Sequence, residues 1–575
     1  FLKEIDDFVR TIDKIPKIEM ENNQVIKDIE KEFDSIQSLF NEGKKYLIGK
    51  DKNKKLAIEI YDKYYSKLND IYSNLNKSNN ANKIYINHLV KLSKIYLLIP
   101  YYYKSKIVCE KVIEIDKNNI DIIPTYIKCL HYFRQYSTIT DILNNINIDN
   151  ATINDLKKQN EERKKQTKGV YDLKNIYLNF RKTNNFNLDI AEYISNKISI
   201  KQDKVKGLVI IANEDILKGE ILIAERAIEY VPLVDKNLKY NIEKEEWHEL
   251  IKTKIKEKML YCKEDNPEIF VIYNGLNTNL SLEERKNNYL KNIHNKKDIN
   301  ITQKEIDTLF TDSFSTKLYI YDELSIASGL FYYSSFLSHS CTPNTHIFGL
   351  GNFMFIISEK NIKKNEELTT FYVENDKEFS RRQIDLYLNY GFQCECELCK
   401  IEKENFDKNK DIKCKISYYI EQLIDMSVNM LKYNLFDYFV KHKEVNDFIE
   451  NNKGKIKFFE QGLLYYNLYY LWRDIGTNYT YLEKALNCFE KDINLNFNNM
   501  IYYCLLKMYK MNYVCNPKLC EDIKNKIIKL LNAAFRNSQN EFVETIVEDI
   551  IKMNTKDSDP DIILFKEKFD ESFFG

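Results

Sequence analysis

Three cysteines fall within six residues, in Cys394-Glu395-Cys396-Glu397-Leu398-Cys399. Thiolates bind Zn²⁺ at about 2.3 Å, and four of them close a tetrahedral shell that serves structure. The one- and two-residue gaps draw three ligands from one short loop and the turn after it. One corner is then left for a residue distant in sequence. The competing reading is three unpaired cysteines in a loop, but such gaps seldom coincide by chance. Disulfide pairing fits poorly. The chain has 12 cysteines, and the others, such as Cys109, Cys129 and Cys262, are mostly solitary, as expected in a reducing compartment. Two segments upstream also carry reactive side chains. They are Ser338-His339-Ser340-Cys341-Thr342-Pro343-Asn344 and Glu366-Glu367-Leu368-Thr369-Thr370-Phe371-Tyr372.

The elements that must position these residues differ along the chain. At 575 residues, two to four domains are expected. Lys+Arg and Asp+Glu both total 86, so net charge offers no case for nucleic acid or an anionic membrane surface. No apolar run approaches the roughly 18 residues that span a bilayer, and the first residues lack a signal-peptide pattern. Only 14 Gly and 8 Pro point to long helices. The chain is rich in Lys, Asn, Ile and Tyr throughout, so neither lysine runs nor tyrosine clusters single out a site.

Helical periodicity dominates the first third. Ala57, Tyr61, Tyr64 and Leu68 share a face, as do Tyr85, Leu89, Leu92 and Tyr96. Val108, Val112 and Ile115 form a third face, and Ile122, Tyr126, Cys129 and Phe133 a fourth. The link Asp116-Lys117-Asn118-Asn119 between the last two resembles that of a tetratricopeptide repeat near 105–136; an ordinary helical bundle is the alternative for 1–100. The charge-dense stretch 152–168 predicts a solvated helix ending at Gly169. Strands are then predicted at Leu208–Ile211, Ile221–Ala224, Phe353–Ile357 and Leu368–Tyr372, with turn chemistry at Asp215–Glu220. Residues 235–315 read as a charged helical insertion. Leu464, Leu468, Leu471, Leu482, Ala485 and Phe489 mark a return to helix. The expected fold class is α+β: a helical arm (1–168), a β-rich centre (169–400) whose last piece is the cysteine loop 390–400, and a C-terminal helical domain (401–575).

Taken in order, these segments resemble the SET domain of SMYD-like and tetratricopeptide–SET lysine methyltransferases, over about residues 170–400. In that family an Asn-His-Ser-Cys segment and a segment ending Glu-Leu-Thr-x-x-Tyr make a knot-like crossing beside the methyl donor, S-adenosylmethionine. The resemblance implies one structural zinc on Cys341, Cys394, Cys396 and Cys399. It implies Tyr372 as the hydroxyl that orients the target amine, with Tyr390 lining the lysine channel and Phe392 packing on the adenine. Alone among 42 tyrosines, Tyr372 would read as a strand-end aromatic. Lys206 and Gly207 match the end of a Gly-x-Gly-Leu turn that approaches the donor, Ser338 and His339 would touch it, and Ser313-Phe314 resembles a segment ahead of the channel. Tyr171-Asp172 and Leu188–Tyr193 resemble the lead-in of the tetratricopeptide–SET group.

Three positions depart from the family pattern. Val205 replaces the first Gly of Gly-x-Gly, where a positive φ would strain a valine. Ser338 replaces Asn and offers one short hydroxyl where an amide offers an acceptor and two donors. Cys262 is the only cysteine between Gly207 and Cys341, so no MYND zinc finger forms there. The expectation is a protein-lysine methyltransferase, cytoplasmic or nuclear, acting on a histone or non-histone protein with an exposed lysine. The alternative is a catalytically degenerate scaffold whose helical repeats hold a peptide partner. Neutral charge and a single closed zinc site weigh against direct nucleic-acid binding.

Overall fold

The computed structural model describes residues 30–554 except 49–52, 76–77, 147–149, 184–186, 233–243, 262–263, 266–314, 318–326, 374–376, 378, 473–478, 492–498, 514–515 and 533–539. The expected insertion 235–315 therefore lies largely outside the described residues, as do Cys262, Ser313 and Phe314. The chain divides into two compact units. One comprises 1–170, 189–193 and 242–312, and the other 171–188, 194–241 and 313–575.

The first unit is helical in its described part. Helices span Gln37–Ile48, Lys54–Asn74, Asn79–Leu98, Tyr102–Ile115, Ile123–Tyr132, Tyr136–Asn145 and Ala151–Gln166, with a further one at Lys244–Tyr261. Ala57, Tyr61, Tyr64, Leu68, Tyr85, Leu89, Leu92 and Tyr96 are all fully buried in one core, as their spacing predicts. Side-chain caps at Asn53, Ser78 and Asn150 take orphan N–H groups at three helix starts. The helix beginning at Tyr102 has no such cap of its own. The carboxylate of Asp265 supplies it from far along the chain, accepting the Tyr102 and Tyr103 N–H groups at 2.8 and 2.6 Å. The helix Ala151–Gln166 is less solvated than its charge density predicts. Arg163 is buried and paired with Asp189, and Gln166 accepts the Ala191 N–H at 2.7 Å.

The second unit holds the strands. They are β1 (Ile198–Asp203), β2 (Gly207–Ala212), β3 (Ile221–Arg226), β4 (Glu229–Pro232), β5 (Ser315–Lys317), β6 (Ala327–Leu330), β7 (Ser338–His339), β8 (Thr345–Leu350), β9 (Phe353–Ser358) and β10 (Thr369–Thr370). β9 lies antiparallel between β3 and β8, with Phe355 opposite both Ala224 and Phe348. All six of its residues are buried, which explains an unbroken apolar run where a half-exposed strand would alternate. β1 and β2 form a hairpin, and β6 pairs with both β4 and β5.

β7 and β10 pair in parallel, Thr369 opposite Ser338 and Thr370 opposite His339. The predicted strand Leu368–Tyr372 is thus only two residues long. Leu368 instead donates its N–H to Ile210 O at 2.9 Å, and Tyr372 lies in a bend beyond the pairing. Upstream, Tyr171 packs edge-on to Phe355 at 5.2 Å. The helix Leu173–Thr183 is tied to the helix Asn540–Asn554, because Tyr177 donates to Asp549 at 2.7 Å. From Phe379 onward the unit is helical. Leu464, Leu468, Leu471, Leu482, Ala485 and Phe489 are buried.

Candidate active site

The short β7–β10 pairing brings two distant segments side by side, and the site residues hang from it. Asn344, buried just after β7, laces the two together. Its amide donates to Glu366 and to Glu367 O, both at 2.9 Å, and its carbonyl accepts the Thr369 N–H at 2.8 Å. The approach to β7 is fixed from below by Glu225 on β3, which is 1% exposed. Its carboxylate accepts three successive N–H groups, from Tyr332, Tyr333 and Ser334, at 3.1, 2.9 and 2.9 Å.

Tyr372 donates its hydroxyl to Leu337 O at 2.6 Å. Burial, with the Tyr390 hydroxyl close by, pushes that group well above its ordinary value, so it stays protonated and a donor. The Tyr390 ring lies 5.0 Å from Tyr372, and its hydroxyl donates to Tyr372 O at 3.3 Å. Phe392 stands edge-on to Tyr372 at 6.3 Å and 6.0 Å from His339. His339 links two halves of the site. Its Nδ1 accepts the Tyr372 N–H at 2.9 Å, so the neutral ring carries its proton on Nε2, which faces Cys341 Sγ at 3.4 Å.

The four predicted metal ligands converge. The sulfurs of Cys341, Cys394, Cys396 and Cys399 all lie within 4.8 Å of one another, three of the residues buried and Cys396 half-buried. Cys341 sits 3.9 Å from Cys394 and 3.4 Å from Cys399. A tetrahedral Zn–S shell has S···S edges of about 3.8 Å, so the donor set fits the ion. As thiolates, four sulfurs this close would need a cation among them, and the cluster is one that could hold a metal ion.

Lys206 and Gly207 lie at the β1–β2 turn, beside the strand that meets Glu367. Gly207 has a φ of 83°, and a Cβ built there would meet nothing within 4 Å. The backbone at Gly207 is therefore open to its surroundings, and its left-handed φ suits glycine. Val205 is not strained: it is absent from the positive-φ residues, and the Asp203 carboxylate secures the turn by accepting the Val205 and Lys206 N–H groups, both at 2.8 Å. Lys206 and Ser338 meet on one carboxylate. Lys206 Nζ lies 2.6 Å from Glu367, and the Ser338 hydroxyl donates to the same side chain.

The sequence assigned no role to Glu367, Asn344, Glu225, Arg382 or Gln383. Glu367 and Asn344 stand inside the quoted motifs, where their polarity beside a strand was the available signal. Arg382 is 1% exposed and ion-paired with Glu402 beside Cys341. Its one sequence signal is position on the helix leading to the cysteines.

The SET domain family profile matches residues 207–373. This chain contains a SET domain. Its match runs from Gly207 to the bend after Tyr372; the three-cysteine loop follows it. Histone-lysine N-methyltransferase SET5 of Eremothecium gossypii is 41% identical over 76 residues, 13% of this chain and 16% of that protein. A putative SET domain-containing protein of Acanthamoeba polyphaga mimivirus is 31% identical over 127 residues, 20% of this chain and 49% of the relative. A SET and MYND domain-containing protein of Dictyostelium discoideum is 38% identical over 72 residues, 12% and 21% of the two chains. The chain thus spans less than half the length of each of these relatives. No helix among the described residues is long and apolar enough to cross a membrane.

Proposed function

We propose that the protein transfers a methyl group from S-adenosylmethionine to a lysine side chain of a protein substrate, histone or non-histone, in the nucleus or cytoplasm. One observation carries the reading. Tyr372, Tyr390 and Phe392 converge beside the β7–β10 pairing, and His339 ties that cluster to the four thiols. In this reading the pairing is the knot-like crossing of the SET fold. Gly207, Lys206, Ser338, His339 and Phe392 bound the donor's side, and Tyr372 and Tyr390 the lysine's. Cys341, Cys394, Cys396 and Cys399 hold one structural zinc that fixes the wall carrying Phe392.

S-adenosylmethionine held beside Gly207, His339 and Phe392 would supply an activated methyl on sulfonium; the amine lone pair would form the new N–C bond in line as the C–S bond breaks, with S-adenosylhomocysteine leaving and the positive charge passing to the methylated amine. The target ammonium must first lose a proton to solvent, which costs about 4.6 kcal/mol at pH 7. Half-buried aromatic rings lower that cost by disfavouring the charged amine. The Tyr372 hydroxyl and nearby backbone carbonyls then orient the neutral nitrogen. The helices of 401–575, in the same compact unit as the site, would restrict which proteins reach the channel.

The test is transfer of labelled methyl from S-adenosylmethionine to histones and other lysine-bearing proteins, with Tyr372→Phe as control. Transfer lost in the variant while donor affinity is kept supports the enzyme. The Lys206–Glu367–Ser338 cluster favours a second reading, a scaffold, because two side chains assigned to the donor are already engaged by one carboxylate, that of Glu367. Donor binding without transfer in the parent chain would select that reading.

A further inference from the structure

The metal loop is held by a residue outside the SET motifs. Gln383 projects from the helix Phe379–Tyr390 and makes three contacts with the cysteine loop. Its Oε1 accepts the Cys394 N–H at 3.0 Å. Its Nε2 donates to Cys394 O at 3.2 Å and to Cys399 Sγ at 3.1 Å. The amide therefore grips the Cys394 backbone from both sides and directs an N–H at a ligand sulfur.

That third contact has a chemical consequence. Four thiolates around Zn²⁺ carry a net charge of minus two, and N–H donors to sulfur spread it. His339 Nε2 faces Cys341 Sγ at 3.4 Å, and the Cys396 N–H points to Cys394 Sγ at 3.5 Å. Gln383 completes a set in which three of the four sulfurs each receive an N–H. Arg382, next in sequence, adds a buried positive charge beside Cys341.

We propose that Gln383 is a positioning residue of the metal centre: its amide holds the loop 394–399 in ligating geometry and its N–H stabilises the Cys399 thiolate against loss of zinc. The inference rests on the zinc reading of the site. Outer hydrogen-bonding partners of metal ligands are commonly worth 10–100-fold in metal affinity. The side chain also allows its two roles to be separated. Glutamate keeps the acceptor for Cys394 N–H but has no N–H for Cys399 and adds negative charge. Leucine removes both.

Zinc release from purified parent, Gln383→Leu and Gln383→Glu proteins is followed with a colorimetric chelator, after circular dichroism confirms that each is folded. Release at least about 10-fold faster in Gln383→Leu, and faster again in Gln383→Glu, is expected. A purely structural clamp predicts the reverse order, with Glu closer to the parent, and that order overturns the proposal. Rates within twofold of the parent in both variants overturn it too, while leaving the zinc site standing. A parent chain that purifies without stoichiometric zinc overturns the zinc reading and this inference together.

Discussion

Glu225→Gln isolates how the approach to the site is held. The carboxylate is 1% exposed and takes Tyr332 and Tyr333 N–H groups on one oxygen and Ser334 N–H on the other. The amide can keep the first two bonds if its oxygen takes that place. Its NH₂ then faces the Ser334 N–H, donor against donor. Each surviving bond loses its charged acceptor, about 1 kcal/mol apiece, and the orphaned buried N–H costs about 1–3 kcal/mol. The neutral amide recovers part of this because it is cheaper to bury than a carboxylate. The net destabilisation is about 2–4 kcal/mol, well short of a typical folding free energy of about 5–15 kcal/mol. The variant should fold, with an earlier urea midpoint and an unchanged slope. Hydrogen exchange at residues 332–334 should accelerate about 30- to 800-fold, the same energy expressed as an opening equilibrium. Parental exchange at those three amides, together with an unmoved midpoint, would refute the anchoring role.

Cys396→Ser should purify with at most a fraction of an equivalent of zinc by X-ray fluorescence, and chelation should lower the melting temperature of the parent but not of this variant. Ser338→Asn should tighten S-adenosylmethionine binding in calorimetry, because the amide adds donors and an acceptor beside Glu367; equal or weaker affinity rejects that. Glu359 and His346 should oppose each other with pH. Burial raises Glu359 to about 7, so the folded state holds its proton longer and its contribution falls as pH rises from about 4.5 to 7, by about 3 kcal/mol in total. Burial lowers His346 to about 4, so its contribution rises between about 4 and 6.5. Glu359→Gln should therefore unmask a rise in stability over pH 4.5–6.5 that the parent curve flattens, measured by urea unfolding at several pH values.

Residues whose role depends on local pattern were legible in the sequence. Leu208–Ile211, Ile221–Ala224 and Phe353–Ile357 lie within strands because short β-branched and aromatic runs suit a buried sheet. Three thiols in six residues announced a cluster. Tertiary proximity was not legible. Cys341 entered the cluster through family likeness alone, since 53 residues separate it from Cys394. Glu225 reaches an element more than 100 residues away, and nothing in a strand sequence marks one acidic side chain as a cap. Gln383 looks like any polar helix residue. Strain at Val205 was conditional on a positive φ there, and backbone angles are not legible in sequence: the left-handed residue is Gly207, and Asp203 closes the turn without one at Val205.

The separation of Cys341 from its partners also sets an order in time. A ribosome adding about 5–20 residues per second makes Cys341 roughly 3–10 s before Cys394. Over that interval the first thiol has none of the other three cysteines, and the β10 segment that will lie beside it is made only part-way through. The parallel pairing cannot form by a local hairpin and must wait for a long loop to close. A nascent chain arrested between residues 342 and 393 would thus carry one unpaired thiol of the cluster. On the zinc reading proposed above, capture of the ion by all four sulfurs is then a late event, one that follows synthesis of the strands.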